Sequence, residues 1–242
     1  AAGKHVFVEK PLAMTLEEAN RMIVAAKDSE RHLMVGHLLQ YHPVFVRLLQ
    51  MVEAGTLGNL LYMYSNRFSL GIIRAEEDVV WSFAPHDISM LLSLANDNVI
   101  SVQCHGFGSL QNGIADSATI NLTFESSLKA TVSCSWLHPV KEQKLVVMGD
   151  EGMAVFDDTQ IWENKLALYR HAIDKSQFPP LLNKAEVEYI VVPQAEPLKQ
   201  ECQYFLDVMA GDVPARTDGV EGRAVLQVLT AASTSMQVGE SI

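Results

Sequence analysis

A lysine close to the start of the chain lies where its ammonium group could serve a binding site. Lys10 follows the apolar run of residues 6–8, which is typical of a strand buried on both faces of a parallel sheet. Pro11 cannot donate to a strand ladder, so the strand ends before it. Because open α/β sheets bind ligands at the carboxyl ends of their strands, Lys10 is a candidate functional residue. The alternative is a solvated lysine at a strand end.

A histidine further along the chain is the second candidate for acid–base chemistry. His86 lies between Pro85 and Asp87, a pattern that predicts the start of a helix at residues 85–87. A histidine exposed at a helix start suits general acid–base catalysis. A histidine packed into the core is the alternative, and Asp87 could simply interact with the helix dipole.

Two arginines stand at the ends of a strand-to-loop segment that shortly precedes the histidine. Arg67 and Arg74 could capture a phosphate or carboxylate group through paired hydrogen bonds. The alternative is ordinary surface charge. In a chain with a formal net charge of −11, two arginines close to the His86 segment favour the binding role.

Other residues that often do chemistry follow no recognised pattern here. His32, His37 and His42 are five residues apart, which fits no usual zinc spacing, so we predict no metal site. The glycines at 106 and 108 lack the third glycine of a dinucleotide fingerprint. The sequence contains neither a phosphate-binding P-loop nor a nucleophile elbow.

Composition excludes several classes of partner. The 242 residues and their net charge of −11 argue against a nucleic-acid partner, which requires a basic surface. No apolar stretch approaches ~18 residues, so we predict no membrane span. The three cysteines have no matched spacing, and the first residues do not resemble a signal peptide. We therefore expect a reducing compartment and a cytoplasmic location.

Hydrophobic periodicity divides the chain into two parts. A strand, a helix capped by Thr15 and Glu18, and a second strand at 33–36 form one βαβ unit. Strict alternation over 118–124 and 128–136 then predicts a hairpin of an antiparallel sheet with one buried face. Further segments complete the prediction, with helices at 43–54, 198–210 and 219–237, strands at 60–69, 144–148, 153–156, 161–169 and 187–192, and an exposed loop at 176–184. The predicted fold class is α/β plus α+β, a remnant of a doubly wound parallel sheet followed by a mixed domain with a large, mostly antiparallel sheet.

Several of these segments together resemble one enzyme family. Residues 2–13, with their Glu9-Lys10-Pro11 motif, are similar to the glucose–fructose oxidoreductase/inositol dehydrogenase (Gfo/Idh/MocA) family. The similarity continues through residues 35–37, 41–43, 85–87 and 214–219, so it extends over essentially the whole chain. The resemblance implies that residues 1–37 are the C-terminal portion of a Rossmann domain. It also implies that residues 38–242 form the substrate and dimerisation domain.

The resemblance further implies an NAD- or NADP-dependent dehydrogenase that oxidises a hydroxyl carbon of a sugar or nucleotide-sugar. Lys10 and His86 match the family's catalytic lysine and histidine, and the cofactor-binding set implied is Glu9, Lys10 and Pro11. Ser82 stands where the family commonly has an aspartate, and residues 81–87 resemble a subgroup that oxidises nucleotide-sugars for bacterial surface polysaccharides. The substrate contacts expected by position are Tyr41, Arg67, Arg74 and Ser82.

The position of the motif bears on what these residues can do alone. Only nine residues precede Lys10, which leaves no room for a glycine-rich nucleotide-binding unit before it. We therefore expect residues 1–242 by themselves to bind NAD(H) or NADP(H) very weakly and to be inactive. The alternative is a cofactor-free sugar-binding or assembly module. In either case the Thr- and Ser-rich outer face of strands 118–124 and 128–136 suits packing between subunits of a homo-oligomer.

Overall fold

The structure, a computed structural model, describes residues 2–174 and 176–242. It opens with a two-stranded parallel sheet in which β1 (Val6–Glu9) pairs with β2 (Leu33–Gly36). The connecting helix α1 (Leu16–Asp28) begins at the predicted capping box, since Thr15 and Glu18 each accept from the other's backbone N–H. The register pairs Glu9 with Gly36, so both strands end at the same sheet edge.

The expected burial of β1 on both faces is wrong for the described residues. Val6 is 44% exposed, and Phe7 and Val8 are only partly buried. All four residues of β2 are buried. The reason lies in the pairing, because β1 bonds to β2 along one edge and no second strand of the described residues lies along the other.

The rest of the chain builds the large sheet. Its strands run in the order β12-β9-β8-β7-β3-β6-β5-β4, and every neighbouring pair is antiparallel except β3 with β6. This confirms the predicted large, mostly antiparallel sheet. The strand bounds are β3 (Leu60–Leu70), β4 (Val99–Phe107), β5 (Ser117–Phe124), β6 (Lys129–Ser135), β7 (Leu137–Gly149), β8 (Met153–Asp157), β9 (Leu166–Tyr169) and β12 (Val187–Tyr189).

Three predicted segments differ from the structure in length or type. The strand predicted at 144–148 extends over thirteen residues in β7. The segment 161–169 begins instead with a 3₁₀ turn, Trp162–Asn164, before β9 starts. The loop predicted at 176–184 is exposed as expected, but it contains β11 (Leu181–Asn183), which pairs with β10 (Ala172–Asp174). Short pairings of this kind leave little periodicity in the sequence.

Helices cover one face of the large sheet. They are α2 (Pro43–Glu53), α3 (Val79–Ala95) and α5 (Gly219–Val238), whereas α4 (Pro197–Ala210) packs against the 3₁₀ turn Leu38–Tyr41 that precedes α2. The core between these helices and the sheet is large and fully enclosed, with Trp136, Phe45 and Phe124 among its biggest buried side chains.

The last helix connects the two sheets. Leu226 of α5 packs in a small core with Leu12, Leu33 and Val35, while neighbouring α5 residues pack in the large core. Gly222 permits this contact, because a Cβ there would lie 2.6 Å from a methyl group of Val35. The carboxyl ends of β1 and β2 are thereby fixed against the domain that carries α3.

Candidate active site

Lys10 is held against the helix that carries His86. It follows β1 directly, and its Nζ donates a 2.8 Å hydrogen bond to the backbone carbonyl of Ser82. Burial lowers the pKa of Lys10; the Glu77 carboxylate opposes this, but Arg74 adds to it. The strand end predicted from Pro11 therefore positions a partly buried cation one turn before His86.

His86 lies among groups that keep its imidazole neutral. Burial lowers its pKa well below 6.5, and the positive groups of Arg67, His37 and Lys10 lower it further. Its Nδ1 is buried and has no hydrogen-bond partner among the described residues. A neutral imidazole beside a lysine ammonium can accept a proton from a hydroxyl group.

The predicted location of His86 at a helix start is wrong. The helix begins seven residues earlier, at Val79, where the Asp78 side chain accepts hydrogen bonds from the backbone N–H of Val80 and of the next residue. Pro85 lies inside α3, and His86 is partly buried against the small sheet. Its helix position therefore does not expose it to solvent.

Asp87 and Arg67 form a buried ion pair beneath this site. The Arg67 guanidinium donates to both carboxylate oxygens of Asp87, and the Ser65 hydroxyl donates to the same group. Burial alone would lower the pKa of Arg67, but the adjacent carboxylate more than offsets this and raises it. Asp87 is thus not a helix-dipole partner, and Arg67 is already engaged rather than open for the predicted capture of an anion.

The other predicted substrate contacts have different surroundings. Arg74 is largely exposed and pairs with Glu77 at 3.0 Å. Tyr41 is buried, and its hydroxyl lies 2.8 Å from Thr217 Oγ1. Burial raises the pKa of this phenol above its usual range. The substrate contact predicted at Tyr41 is therefore not what the structure shows, because the hydroxyl is directed into the protein.

His37 lies next to His86 and is paired with Glu221, a pair that the sequence did not indicate. His37 follows β2 just as Lys10 follows β1, and its Nδ1 is 2.7 Å from the Glu221 carboxylate. The rings of His37 and His86 meet edge to face, with centroids 6.3 Å apart. The strand-end position could have indicated His37. Glu221 comes from α5, 184 residues further along the chain, and no local pattern signals that contact.

A second buried network lies on the other side of Arg67. Asp158 is bonded to Lys165 and His42. Although burial would raise its pKa, these hydrogen bonds and charges lower it to about 2. With its amide oxygen turned toward Arg67, Gln143 bridges the two networks at 3.2 and 3.3 Å. These residues enclose a cavity of only about 10 Å³, so they support the site from behind rather than bind a ligand.

An open cavity of about 670 Å³ adjoins the Lys10 strand end. Pro11 and Trp81 form its near walls, Phe107 lies on the opposite side, and Glu77 and Asp78 add acidic groups. Lys10 and His86 are not among the lining residues, so the cavity lies beside the pair rather than around it.

The comparisons with known proteins decide the family. Residues 1–37 match the model described as "Oxidoreductase family, NAD-binding Rossmann fold", and residues 45–155 match the "GFO/IDH/MocA C-terminal domain". The chain belongs to the Gfo/Idh/MocA family. This is a family of oxidoreductases with NAD(P) as cofactor, as the resemblance implied.

Individual relatives are distant but extend over most of the chain. UDP-N-acetylglucosamine 3-dehydrogenase of Acidithiobacillus ferrooxidans is 25% identical over 93% of this chain and 69% of its own length. Myo-inositol 2-dehydrogenase of Thermotoga maritima is 24% identical over the whole of this chain and 73% of its own length. A solved structure of the Acidithiobacillus enzyme superposes with a TM-score of 0.83 at 23% identity, covering 98% of this chain and 72% of that one, which establishes the shared fold.

The residues present fit one end of such a cofactor. The partly buried ammonium of Lys10 is bonded one turn before His86, and its charge acts on that imidazole, so a cation and a proton acceptor lie close together. No glycine-rich phosphate-binding turn occurs in the sequence. Among the described residues no group of three or more His, Cys, Asp or Glu side chains could hold a metal ion. Nor does any helix in the described ranges have the length and apolar character needed to cross a membrane.

Proposed function

We propose that this chain carries the catalytic half of an NAD(P)-dependent dehydrogenase that acts on a hydroxyl carbon of a sugar or nucleotide-sugar. The observation that supports this most is that Lys10, at the end of β1, and His86, in α3, come close together. Lys10 Nζ bonds the carbonyl of Ser82, one turn before His86, and its charge acts on the imidazole. Family membership supplies the reaction class, and this geometry supplies the residues for it.

The two side chains divide the chemistry. His86, kept neutral by burial and by nearby cations, accepts the proton of the substrate hydroxyl. Lys10 stabilises the negative charge that develops on that oxygen, an effect of about 3 kcal/mol in a site that excludes water. A bound NAD(P) would supply the hydride acceptor, which is the chemistry that these side chains cannot supply themselves. Burial of Lys10 strengthens its interaction with the oxygen because fewer water molecules screen it.

For the substrate we propose a sugar or nucleotide-sugar. The names of the relatives support this class, since one acts on a nucleotide-sugar and another on an inositol. A role in polysaccharide biosynthesis belongs to the same proposal. The exposed guanidinium of Arg74, paired only at the surface with Glu77, remains our candidate for a substrate contact. Ser82 remains a candidate through its position one turn before His86.

The proposal is tested by following hydride transfer spectroscopically. Because residues 1–242 alone are expected to bind the cofactor very weakly, they are first extended at the N-terminus by a glycine-rich nucleotide-binding unit. The extended protein is mixed with NAD or NADP and a panel containing UDP-N-acetylglucosamine, myo-inositol and glucose, and NAD(P)H formation is recorded. Lys10→Ala is expected to reduce kcat by at least about 100-fold because it removes the charge next to the oxygen. Lys4→Ala, which removes an exposed lysine from the same segment, is the matched control. Turnover that survives Lys10→Ala unchanged would remove Lys10 from the reaction.

We also propose that the protein is a homo-oligomer that associates through the outer face of the large sheet. Alternate residues of β3 point away from the helices, and among them the rings of Tyr62 and Tyr64 lie with their centroids 6.1 Å apart, tilted by 33°. The Tyr62 hydroxyl donates to Thr131 Oγ1 on the neighbouring strand, and Thr131 donates in turn to Asn121. A face of aromatic and hydroxyl side chains, ordered by its own hydrogen bonds, suits packing against a second sheet.

A further inference from the structure

The imidazole of His86 lacks a hydrogen-bond partner to hold its orientation. Its Nδ1 is buried and unpaired among the described residues, and a buried unpaired polar atom costs about 1–3 kcal/mol. The nearest position on its own helix, Ser82, uses its backbone carbonyl for Lys10 and offers no carboxylate. A base that must meet one hydroxyl hydrogen in one direction needs some other group to orient it.

The one aromatic ring that contacts His86 within the described residues belongs to His37. The two rings meet at an interplanar angle of 81° with centroids 6.3 Å apart. The His37 side chain is 1% exposed, so it has little freedom to move away. It reaches this place because β1 and β2 end together, which puts the residues after Glu9 and after Gly36 side by side.

His37 is itself fixed by a carboxylate. Both oxygens of Glu221 lie close to its Nδ1, at 2.7 and 3.0 Å. A carboxylate in this position requires the proton on Nδ1, and it therefore selects one tautomer of the His37 ring. Glu221 is in the first turn of α5, where its backbone N–H is capped by Asp218.

The same carboxylate returns to the helix that bears His86. Ser89 donates to Glu221 Oε1 at 2.6 Å, and the Gln40 amide donates to Ser89 Oγ at 2.9 Å. Ser89 follows His86 by three residues, so both lie on one side of α3. His86 contacts the His37 ring, His37 is bonded to Glu221, and Glu221 accepts a hydrogen bond from Ser89. This series of contacts begins and ends on α3.

The groups around His86 include two that are themselves paired with carboxylates. Arg67 and Lys10 act on the imidazole in the direction of its neutral form, and His37 adds to this when its ring is protonated. Asp87 is paired with Arg67, and Glu221 is paired with His37, so each carboxylate is bonded to a side chain that acts on His86.

We propose that the His37–Glu221 pair is the positioning partner of His86, because Glu221 fixes the His37 ring and that ring orients the His86 imidazole. The proposal rests on the proposed function, in which His86 is the base. It assigns His37 and Glu221 as positioning residues that act through His86, not as groups that touch the substrate. It also explains how the site works with serine at position 82.

The test combines nitrogen NMR of the histidine rings in the 242-residue chain with steady-state kinetics on the same chain extended by the glycine-rich nucleotide-binding unit. Nitrogen-15 spectra distinguish the two imidazole tautomers, and His86→Gln and His37→Asn variants assign the signals. We expect one tautomer for each ring in the wild type. In Glu221→Gln we expect mixed tautomers at both rings and a kcat reduced about 10- to 100-fold, with KM within about twofold. Glu163→Gln, an exposed carboxyl on a 3₁₀ turn, is the control for charge and leaves both unchanged.

Two further variants separate positioning from structure. Ser89→Ala removes one hydrogen bond to Glu221 but keeps the charge, so kcat is expected to fall by less than about threefold. His37→Asn keeps a donor for Glu221 but removes the ring, and we expect it to disorder the His86 ring as Glu221→Gln does. The two variants test the same prediction independently, so poor folding of one leaves the other decisive. A lower melting temperature with unchanged His86 tautomer and kcat would overturn the proposal. If no substrate is turned over, the proposed function fails, and the NMR result still decides whether this pair orients His86.

Discussion

At the scale of single residues, Lys10 is held by a backbone atom and not by a side chain. Its ammonium group bonds the carbonyl oxygen of Ser82, which any residue at that position supplies. Pro85 has no N–H to donate to the carbonyl of Trp81, four residues earlier, so the helix lacks one hydrogen bond next to the carbonyl that accepts from Lys10. The substitution of the usual aspartate by Ser82 therefore leaves the anchor of Lys10 intact.

This contact gives a prediction for Ser82. Ser82→Ala removes the hydroxyl but keeps the carbonyl that anchors Lys10, so kcat is expected to change by less than about threefold in the NAD(P)H assay, while KM reports whether the hydroxyl contacts the substrate. Ser69→Ala on β3 is a suitable control for the loss of a hydroxyl. Ser82→Pro is not a useful comparison, because proline would also change the helix backbone. A loss of rate greater than about 30-fold in Ser82→Ala, with the fold intact by circular dichroism, would show that the hydroxyl takes part in proton transfer.

The residues of the site differ in how visible they are in the sequence. Lys10 could be predicted because Pro11 marks the end of its strand and the strand end is where ligands bind. His37 has the same position after β2, but its spacing from His32 and His42 drew attention to metal binding instead. Glu221 could not be found this way, because a contact across 184 residues depends on how α5 packs, which no local pattern encodes.

At the scale of elements, Pro85 led to a wrong prediction of where α3 begins. Proline is common in the first turn of helices, so Pro85 indicated a start there. The actual start is capped by Asp78, whose side chain accepts from two backbone N–H groups, and the first helical residues, Val79 and Val80, are apolar. The result matters for function because His86 lies in the third turn, packed against the small sheet, rather than at an open end.

Helix α4 carries a buried acidic group that makes stability depend on pH. Burial, with a smaller effect of the Glu9 carboxylate, raises the pKa of Glu201 to about 7, and its Oε1 has no hydrogen-bond partner among the described residues. A carboxyl whose pKa is higher in the folded state favours folding when protonated. Its contribution is therefore complete below the unfolded pKa of about 4.5 and is lost as the pH rises through 7.

The corresponding variant is Glu201→Gln. At pH 8 we expect its free energy of unfolding to exceed that of the wild type by about 2 kcal/mol, because the amide never ionises. At pH 5 the two proteins should differ by less than about 1 kcal/mol. Urea denaturation at the two pH values measures both differences, and Glu186→Gln, at an exposed position, is the control. A stability difference that is the same at both pH values would contradict the assignment.

At the scale of the whole molecule, the alternation of apolar and polar residues predicted the large sheet well. In β5 and β6 the pattern matches the observed burial residue by residue over most of their length. The strand order and the parallel pairing of β3 with β6 could not be predicted, since they depend on contacts distant in the sequence. The same holds for α5, which joins the small core to the large one through Leu226 and the close approach at Gly222.

The outer face of the large sheet supports the last prediction, that the protein dimerises through it. A stable interface buries about 800 Å² on each partner, and an arginine at its centre would have to lose its water without gaining a partner. Ser133 lies on the central strand β6, on the face opposite the buried Val132 and Cys134. Ser133→Arg is therefore expected to shift the mass measured by light scattering from dimer to monomer, with the helical and strand content unchanged. Asn112→Arg, in the exposed loop between β4 and β5, adds the same charge away from the sheet and should remain dimeric. A wild-type chain that is monomeric at every concentration of a 100-fold dilution series would show that this interface does not form. A Ser133→Arg variant that stays dimeric would place the interface elsewhere, because a flat face that tolerates a buried arginine is not packed against a second sheet.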